Sequence, residues 1–211
     1  MDIYKTRFQN FKERNEVWKI LVKDFFQKYI KANDVVVDVG SGFGEFINNI
    51  SCSKKIAIDI DGNYKKYLKK NIFFRRCPAS KLIINSNSVN KIFVSNLFEH
   101  MSRGDLVKSV GEMHRVLRSK GQVLVLQPNI RFLGRDYWRF FDHITPIDDR
   151  ALEELFSTFG FNLKKRILKF LPYTTKSLLP KNTLLIKFYL RLPFLWSLFG
   201  KQSFLIFEKN G

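Results

Sequence analysis

Between residues 11 and 30 apolar side chains recur every three to four positions, with Val17, Trp18, Leu21, Val22, Phe25 and Tyr29 sharing one face. That period predicts an amphipathic helix, broken at Asn33-Asp34. The pattern then changes. Val35 to Val39 is a nearly continuous β-branched run, which suits a strand buried on both faces of a parallel sheet. Residues 55–59, 72–75, 91–95 and 122–126 predict four more strands. Between them lie a Lys-rich helix over 63–70 and a helix over 102–118, where Leu106, Val110, Met113 and Leu117 repeat near 3.6 and Ser102 or Asp105 can cap. Lys120-Gly121 is expected to stop that helix. Asp148 predicts the cap of a further helix running to Phe159 and stopped by Gly160. Residues 161–170 and 202–209 complete the strands. Strands alternating with helices, without an internal repeat, predict an α/β doubly wound sheet in one domain.

Directly after the first strand stands Asp38-x-Gly40-x-Gly42-x-Gly44. Glycine lets the backbone turn sharply and approach a ligand where a Cβ would clash. Asp59 ends the second strand, where a carboxylate can accept hydrogen bonds from ribose hydroxyls. A glycine turn, its strand, a following helix and that acid together predict a nucleoside site. A dinucleotide fingerprint requires Gly or Ala three residues after the second glycine, and that position is Glu45. An acid at a helix start also repels phosphate. A phosphate-free nucleoside with a cationic substituent fits better, and S-adenosylmethionine is such a molecule, its ammonium able to meet Asp38.

These residues carry a resemblance. Val37-Asp38-Val39-Gly40-Ser41-Gly42-Phe43-Gly44 resembles motif I of class I S-adenosylmethionine-dependent methyltransferases (type 11-like), and Ile58-Asp59-Ile60-Asp61 resembles their acidic motif II. Ser95-Asn96-Leu97-Phe98-Glu99-His100 is similar to the segment after strand four. Arg115-Val116-Leu117-Arg118-Ser119-Lys120-Gly121 is similar to the segment written RVLKPGG. The correspondence runs from about Val35 to Phe161. It implies a Rossmann-like seven-stranded sheet whose last strand, over 202–209, is antiparallel, with a helical insertion over 171–201 before it. It also implies S-adenosylmethionine as cofactor, leaving as S-adenosylhomocysteine, and a site drawn from Asp38, Gly40, Ser41, Gly42, Gly44, Asp59, Ile60, Ala79, Ser80 and Asn96. Two positions depart from the family: Arg76-Cys77-Pro78 precedes Ala79 and Ser80 where an Asp is usual, and Asn90 replaces the Asp that opens strand four. Gln127-Pro128-Asn129, residues 137–146 and 170–177, and Tyr189-Leu190-Arg191-Leu192-Pro193 resemble a bacterial subgroup that accompanies polysaccharide and lipid-linked glycan assembly.

A hydroxyl acceptor benefits from a base near pKa 7, and the chain has three histidines. His114 falls mid-helix and reads as structural. His100 follows strand four and His143 lies in a turn after strand five, both at the sheet edge where open α/β sheets bind ligands. These two are the catalytic candidates, against a helix cap for His100 and a loop hydrogen bond for His143. Asp142 is a candidate to orient a histidine, although sequence neighbours rarely do so. Tyr137 and Trp138 suit either a sugar face or packing. No spacing suggests a metal site.

Composition narrows the partners. Hydrophobic residues at 45% and aromatics at 15% supply a core, which excludes a disordered chain. The net charge of +18 points to a polyanionic partner, although an AT-rich genome also favours lysine. Beyond Gly160 ten bases stand against one acid, Glu208, among many apolar side chains. Tyr173, Leu178, Leu179, Leu184, Leu185, Phe188, Phe194, Leu195, Trp196 and Phe199 there alternate with Lys176, Lys181, Lys187, Arg191 and Lys201. That mixture predicts either weak contact with an anionic membrane surface or a helical cap over the acceptor site. Cys52 and Cys77 have no disulfide spacing, residues 1–12 lack a signal-peptide core and no segment suits a bilayer span. A cytoplasmic protein, peripheral at the inner membrane face, is expected. The expected layout is an N-terminal helix (1–34), a nucleoside-binding core (35–170), a basic and apolar insertion (171–201) and a last strand (202–211). The expected acceptor is a small molecule or a lipid-linked glycan. The rival readings are an RNA methyltransferase, less favoured without an appended RNA module, and a non-catalytic S-adenosylmethionine-binding protein.

Overall fold

The computed structural model describes residues 11–173 and 183–211. The expectations for residues 1–10 and for Lys176, Leu178, Leu179 and Lys181 lie outside them. Seven strands form one sheet: β1 (Val35–Val39), β2 (Lys54–Asp59), β3 (Ile72–Arg76), β4 (Val89–Ser95), β5 (Leu117–Pro128), β6 (Phe161–Leu171) and β7 (Gln202–Lys209). Their spatial order is β3-β2-β1-β4-β5-β7-β6. β1 to β5 pair in parallel, and β7 is antiparallel to both β5 and β6. The expected antiparallel last strand is therefore present.

Side chains alternate across a strand, and the sequence uses both faces. Val37, Val39, Ile92, Val94, Val123 and Val125 point to one side, where α2 (Arg103–Val116) and α3 (Asp149–Thr158) cover them. Val36, Phe93, Leu124, Leu126 and Phe204 point to the other, under α1 (Phe11–Asp24) and α4 (Thr183–Arg191). There Phe46 stacks on Phe93 with ring centroids 3.7 Å apart, and Phe25 stacks on Phe170 at 4.0 Å. Burying each such ring contributes about 1.5–3 kcal/mol.

Four expectations need correction. The first helix stops at Asp24, and Phe26–Tyr29 tightens into a 3₁₀ turn. No regular helix follows the glycine turn: residues 45–49 form turns, with Asn48 N donating to Gly44 O at 2.9 Å. The Lys-rich stretch is the 3₁₀ segment Gly62–Tyr67, capped by the Asp61 side chain. α2 ends at Val116 rather than at Lys120-Gly121, because Leu117 already pairs with Val89 and opens β5. Lys120 then takes a positive φ of 60°, and the ladder shifts register. The expected caps are in place: Ser102 accepts from Asp105 N, and Asp148 from Arg150 N and Ala151 N.

The described part of the insertion before β7 is helical as expected, with α4 and α5 (Pro193–Phe199). It leaves the sheet at Leu171 and returns at Gln202, which pairs with Pro128 at the C-terminal end of β5. Among the described residues no helix is long and apolar enough to cross a membrane.

Candidate functional site

Gly40, Gly42 and Gly44 all adopt positive φ, at 72°, 48° and 75°. Two of them also need their missing Cβ: at Gly40 it would meet Leu97 at 3.0 Å, and at Gly44 it would come within 2.4 Å of Leu68. At Gly42 nothing lies within 4 Å, so this glycine faces open space at the strand ends. Asp59 holds the turn. Its Oδ2 accepts from Gly42 N at 2.8 Å and its Oδ1 from Asp61 N at 3.0 Å. Each oxygen keeps a lone pair for a ligand.

Around this cradle stand buried polar atoms that none of the described residues satisfies, Ser41 Oγ and Asn96 Oδ1. Asn96 carries a positive φ of 49°, at the end of β4. Buried groups of this kind normally have partners, so a nucleoside bearing hydroxyls and amines fits the cradle. Of the other expected site residues, Ile60 is exposed, Ala79 is buried and Ser80 half-buried. The two departures are structural. Asn90 Oδ1 accepts from Val35 N at 2.9 Å, fixing the start of β1, and Cys77 is buried with its N–H on Asp59 O.

Asp38 is buried, and burial raises its carboxyl well above the ordinary range, with Glu45 and Asp59 adding repulsion. Glu45, expected to repel phosphate at a helix start, instead pairs with Arg14 at 2.9 Å. A carboxyl whose folded pKa is raised contributes stability fully below its unfolded pKa and loses it as pH rises through the folded value. Asp38→Asn is therefore expected to raise the melting temperature of the cofactor-free protein at neutral pH, the gain shrinking on acidification. A gain that grows on acidification would refute the assignment.

A second cluster lies at the same sheet edge. His100, ending the turn Phe98–His100 after β4, donates from Nδ1 to the Asp142 carbonyl at 2.9 Å, with Asp142 Oδ2 at 3.4 Å. His143 Nε2 lies 3.1 Å from the Tyr173 hydroxyl. The two imidazole rings are 5.1 Å apart. Between them sits Glu99, wholly buried, its Oε2 accepting from Gln127 Nε2 at 2.8 Å. Burial raises its pKa, while His100 and the Gln127 hydrogen bond lower it. The structure thus brings the two catalytic candidates together and adds Glu99, which sequence reasoning missed. Asp142 orients His100 through its backbone carbonyl. Tyr137 is buried and donates to Thr145 O at 2.7 Å, so it packs, whereas Trp138 is exposed. His114 sits on α2 against Phe161, away from both clusters.

The methyltransferase-domain family matches residues 37–125. A Haloferax volcanii protein solved in complex with the Trm112 methyltransferase activator superposes with a TM-score of 0.71 at 13% identity, over 100% of this chain and 99% of that one. The chain has the class I methyltransferase fold. S-adenosylmethionine-dependent methyltransferases of Archaeoglobus fulgidus and Thermotoga maritima superpose at TM-score 0.69, with 15% and 18% identity, each covering 98% of both chains. An uncharacterized protein of Methanocaldococcus jannaschii is 30% identical over 112 residues, 52% of this chain. That match spans 46% of the relative's length. The family match and the unsatisfied cradle together support S-adenosylmethionine as the cofactor. Asp38, Ser41, Asp59 and Asn96 would hold it, and it supplies a methyl group made electrophilic by a positive sulfur.

Proposed function

We propose that this protein is an S-adenosylmethionine-dependent methyltransferase acting on a hydroxyl of a glycan or other cell-envelope precursor at a membrane face. The observation that carries the reading is the Glu99–His100–His143 cluster, with Glu99 and His143 buried, at the same sheet edge as the nucleoside cradle. Methyl transfer is an in-line displacement, so much of the catalysis comes from positioning. A hydroxyl must also lose its proton as the oxygen–carbon bond forms, and an imidazole pair flanking a carboxylate is suited to assist that loss. Labelled S-adenosylmethionine incubated with fractionated cell material tests the acceptor. Label is expected in the lipid-linked glycan fraction, and label confined to RNA would overturn the choice.

The membrane face is supported by the insertion. Ile186, Tyr189 and Leu190 of α4 are buried in the core, while Trp196 of α5 donates from Nε1 to Tyr189 O at 2.8 Å. The opposite sides expose Leu184, Leu185, Phe188, Phe194, Leu198 and Phe199. Lys187 and Arg191 share α4 with them, and Lys169 reaches Ser197 O on α5. An apolar face flanked by cations favours an anionic bilayer surface, each base contributing about 1 kcal/mol before screening. Sedimentation is expected to recover the protein with anionic vesicles, less at high salt, and less when Lys187 and Arg191 become Glu. Equal recovery with neutral vesicles would reduce the insertion to a cap over the acceptor site.

A further inference from the structure

Glu99, His100 and His143 offer one ligand atom each, all within 4.8 Å of one another. Glu99 Oε1 lies 3.8 Å from His100 Nε2 and 4.0 Å from His143 Nε2. Both distances are too long for hydrogen bonds. Oε1 is buried and accepts no hydrogen bond among the described residues. His100 donates from Nδ1 to the Asp142 carbonyl, which turns its Nε2 toward that same carboxylate oxygen. A wholly buried carboxylate oxygen with no hydrogen-bond donor among the described residues, faced by two imidazole rings at this spacing, is a place where a cation fits.

We propose that Glu99 Oε1 and the imidazole nitrogens of His100 and His143 bind a single divalent transition-metal ion, with Zn²⁺ the best match. Two histidines and one carboxylate form a donor set of the kind that holds zinc and leaves a position open. Ligands about 2.0–2.1 Å from a tetrahedral ion stand roughly 3.4 Å apart, so inward shifts of about half an ångström close the set. The supporting contacts are those a metal centre uses: Asp142 fixes the His100 tautomer, and Gln127 holds the second oxygen of Glu99. The Tyr173 hydroxyl, 3.1 Å from His143 Nε2, brings a further oxygen to the rim. The ion's use in catalysis rests on the methyl-transfer reading: in the metal-bound form the imidazoles would serve as ligands in place of bases, and an acceptor hydroxyl in the open position would give its proton to solvent more readily. The binding itself stands on the cluster alone.

The test uses tag-free protein stripped with chelator and titrated with Zn²⁺ by calorimetry, with metal content measured by mass spectrometry. One ion per chain is expected, with affinity falling at least tenfold in Glu99→Gln and in His100→Ala. Gln127→Ala is expected to weaken binding by roughly 10–100-fold through its support of Glu99. Glu99→Gln keeps the side-chain shape, and circular dichroism confirms that each variant is folded. Co²⁺ in place of Zn²⁺ is expected to give a spectrum of nitrogen and oxygen ligands, whereas a thiolate band would assign the ion to Cys52 or Cys77 and overturn the proposal. Absence of stoichiometric binding, or unchanged affinity in folded Glu99→Gln, would also overturn it. Stoichiometric binding with methyl transfer unaffected by chelation supports the site and refutes only its catalytic use.

Discussion

Replacing His143 by Ala is expected to slow methyl transfer about 10²–10⁴-fold, the usual contribution of a positioned proton-transfer group, while leaving S-adenosylmethionine affinity unchanged. The separation follows from geometry. The cofactor cradle is built from the ends of β1, β2 and β4, whereas His143 follows the turn Gly134–Arg139 beyond β5 and meets Tyr173, Glu99 and the ring of His100. Its ring also packs on Phe140, with centroids 5.0 Å apart, so the Ala variant must first be shown to keep its melting temperature. Single-turnover rates with bound cofactor, set beside calorimetric affinities, make the measurement. If His143→Ala is near wild type and His100→Ala carries the loss, His100 is the proton-handling residue. If both are silent, positioning alone drives the reaction.

Why one half of this site was legible in the sequence and the other was not has a physical basis. The cradle is local: Asp38 to Gly44 lie on one turn, and Asp59 meets Gly42 because β1 and β2 pair in register, Val39 beside Ile58. Strand ends followed by glycines write such geometry directly into the chain. The Glu99 cluster is assembled from segments some forty residues apart, with His100 reaching Asp142 and Ile144 N bonding Glu99 O. A glutamate in a polar post-strand segment reads as exposed, since glutamates are rarely buried unless paired. Its interior position depends on Gln127 and Thr145, contributed by later parts of the chain. Asp142 is a candidate that the sequence did offer, and the histidine it meets is His100, forty-two residues away.

The misread helices show the same division. Periodicity located α1 and α2, and the Asp148 cap with the Gly160 stop located α3, all three packing apolar faces on the sheet, but the pattern carried α2 to 118, two residues too far. There the ladder pairing of Leu117 with Val89 overrides a helical pattern that continues on paper. Past the glycine turn, Phe43 and Phe46 are buried as a helix would bury them. Gly44 at φ 75° and the Asn48 side chain, which accepts from Lys69 N and donates to Tyr67 O, hold that segment in turns instead.

Asp59→Ala is expected to weaken S-adenosylmethionine binding about 10–100-fold and also to destabilise the cofactor-free protein. One carboxylate does two jobs. Its oxygens accept the Gly42 and Asp61 N–H groups, and removing both acceptors strands two donors at a part-buried turn, at about 1–3 kcal/mol for each that water does not reach. The same change removes the charged partner proposed for the ribose hydroxyls, about 1–3 kcal/mol more against the bound state. Asp59→Asn separates the contributions: its amide oxygen can still take one backbone N–H, but its NH₂ faces the other. Asn should therefore recover part of the stability and little of the affinity. Gly42→Ala is the companion variant, since its Cβ enters open space and leaves Asp59 intact, at the backbone cost of a positive φ, about 1–2 kcal/mol. Thermal melts of each variant with and without cofactor give both numbers. An Asp59→Ala protein that melts lower but binds S-adenosylmethionine as tightly as wild type would confine this acid to holding the turn. The ribose would then need another partner in the cradle.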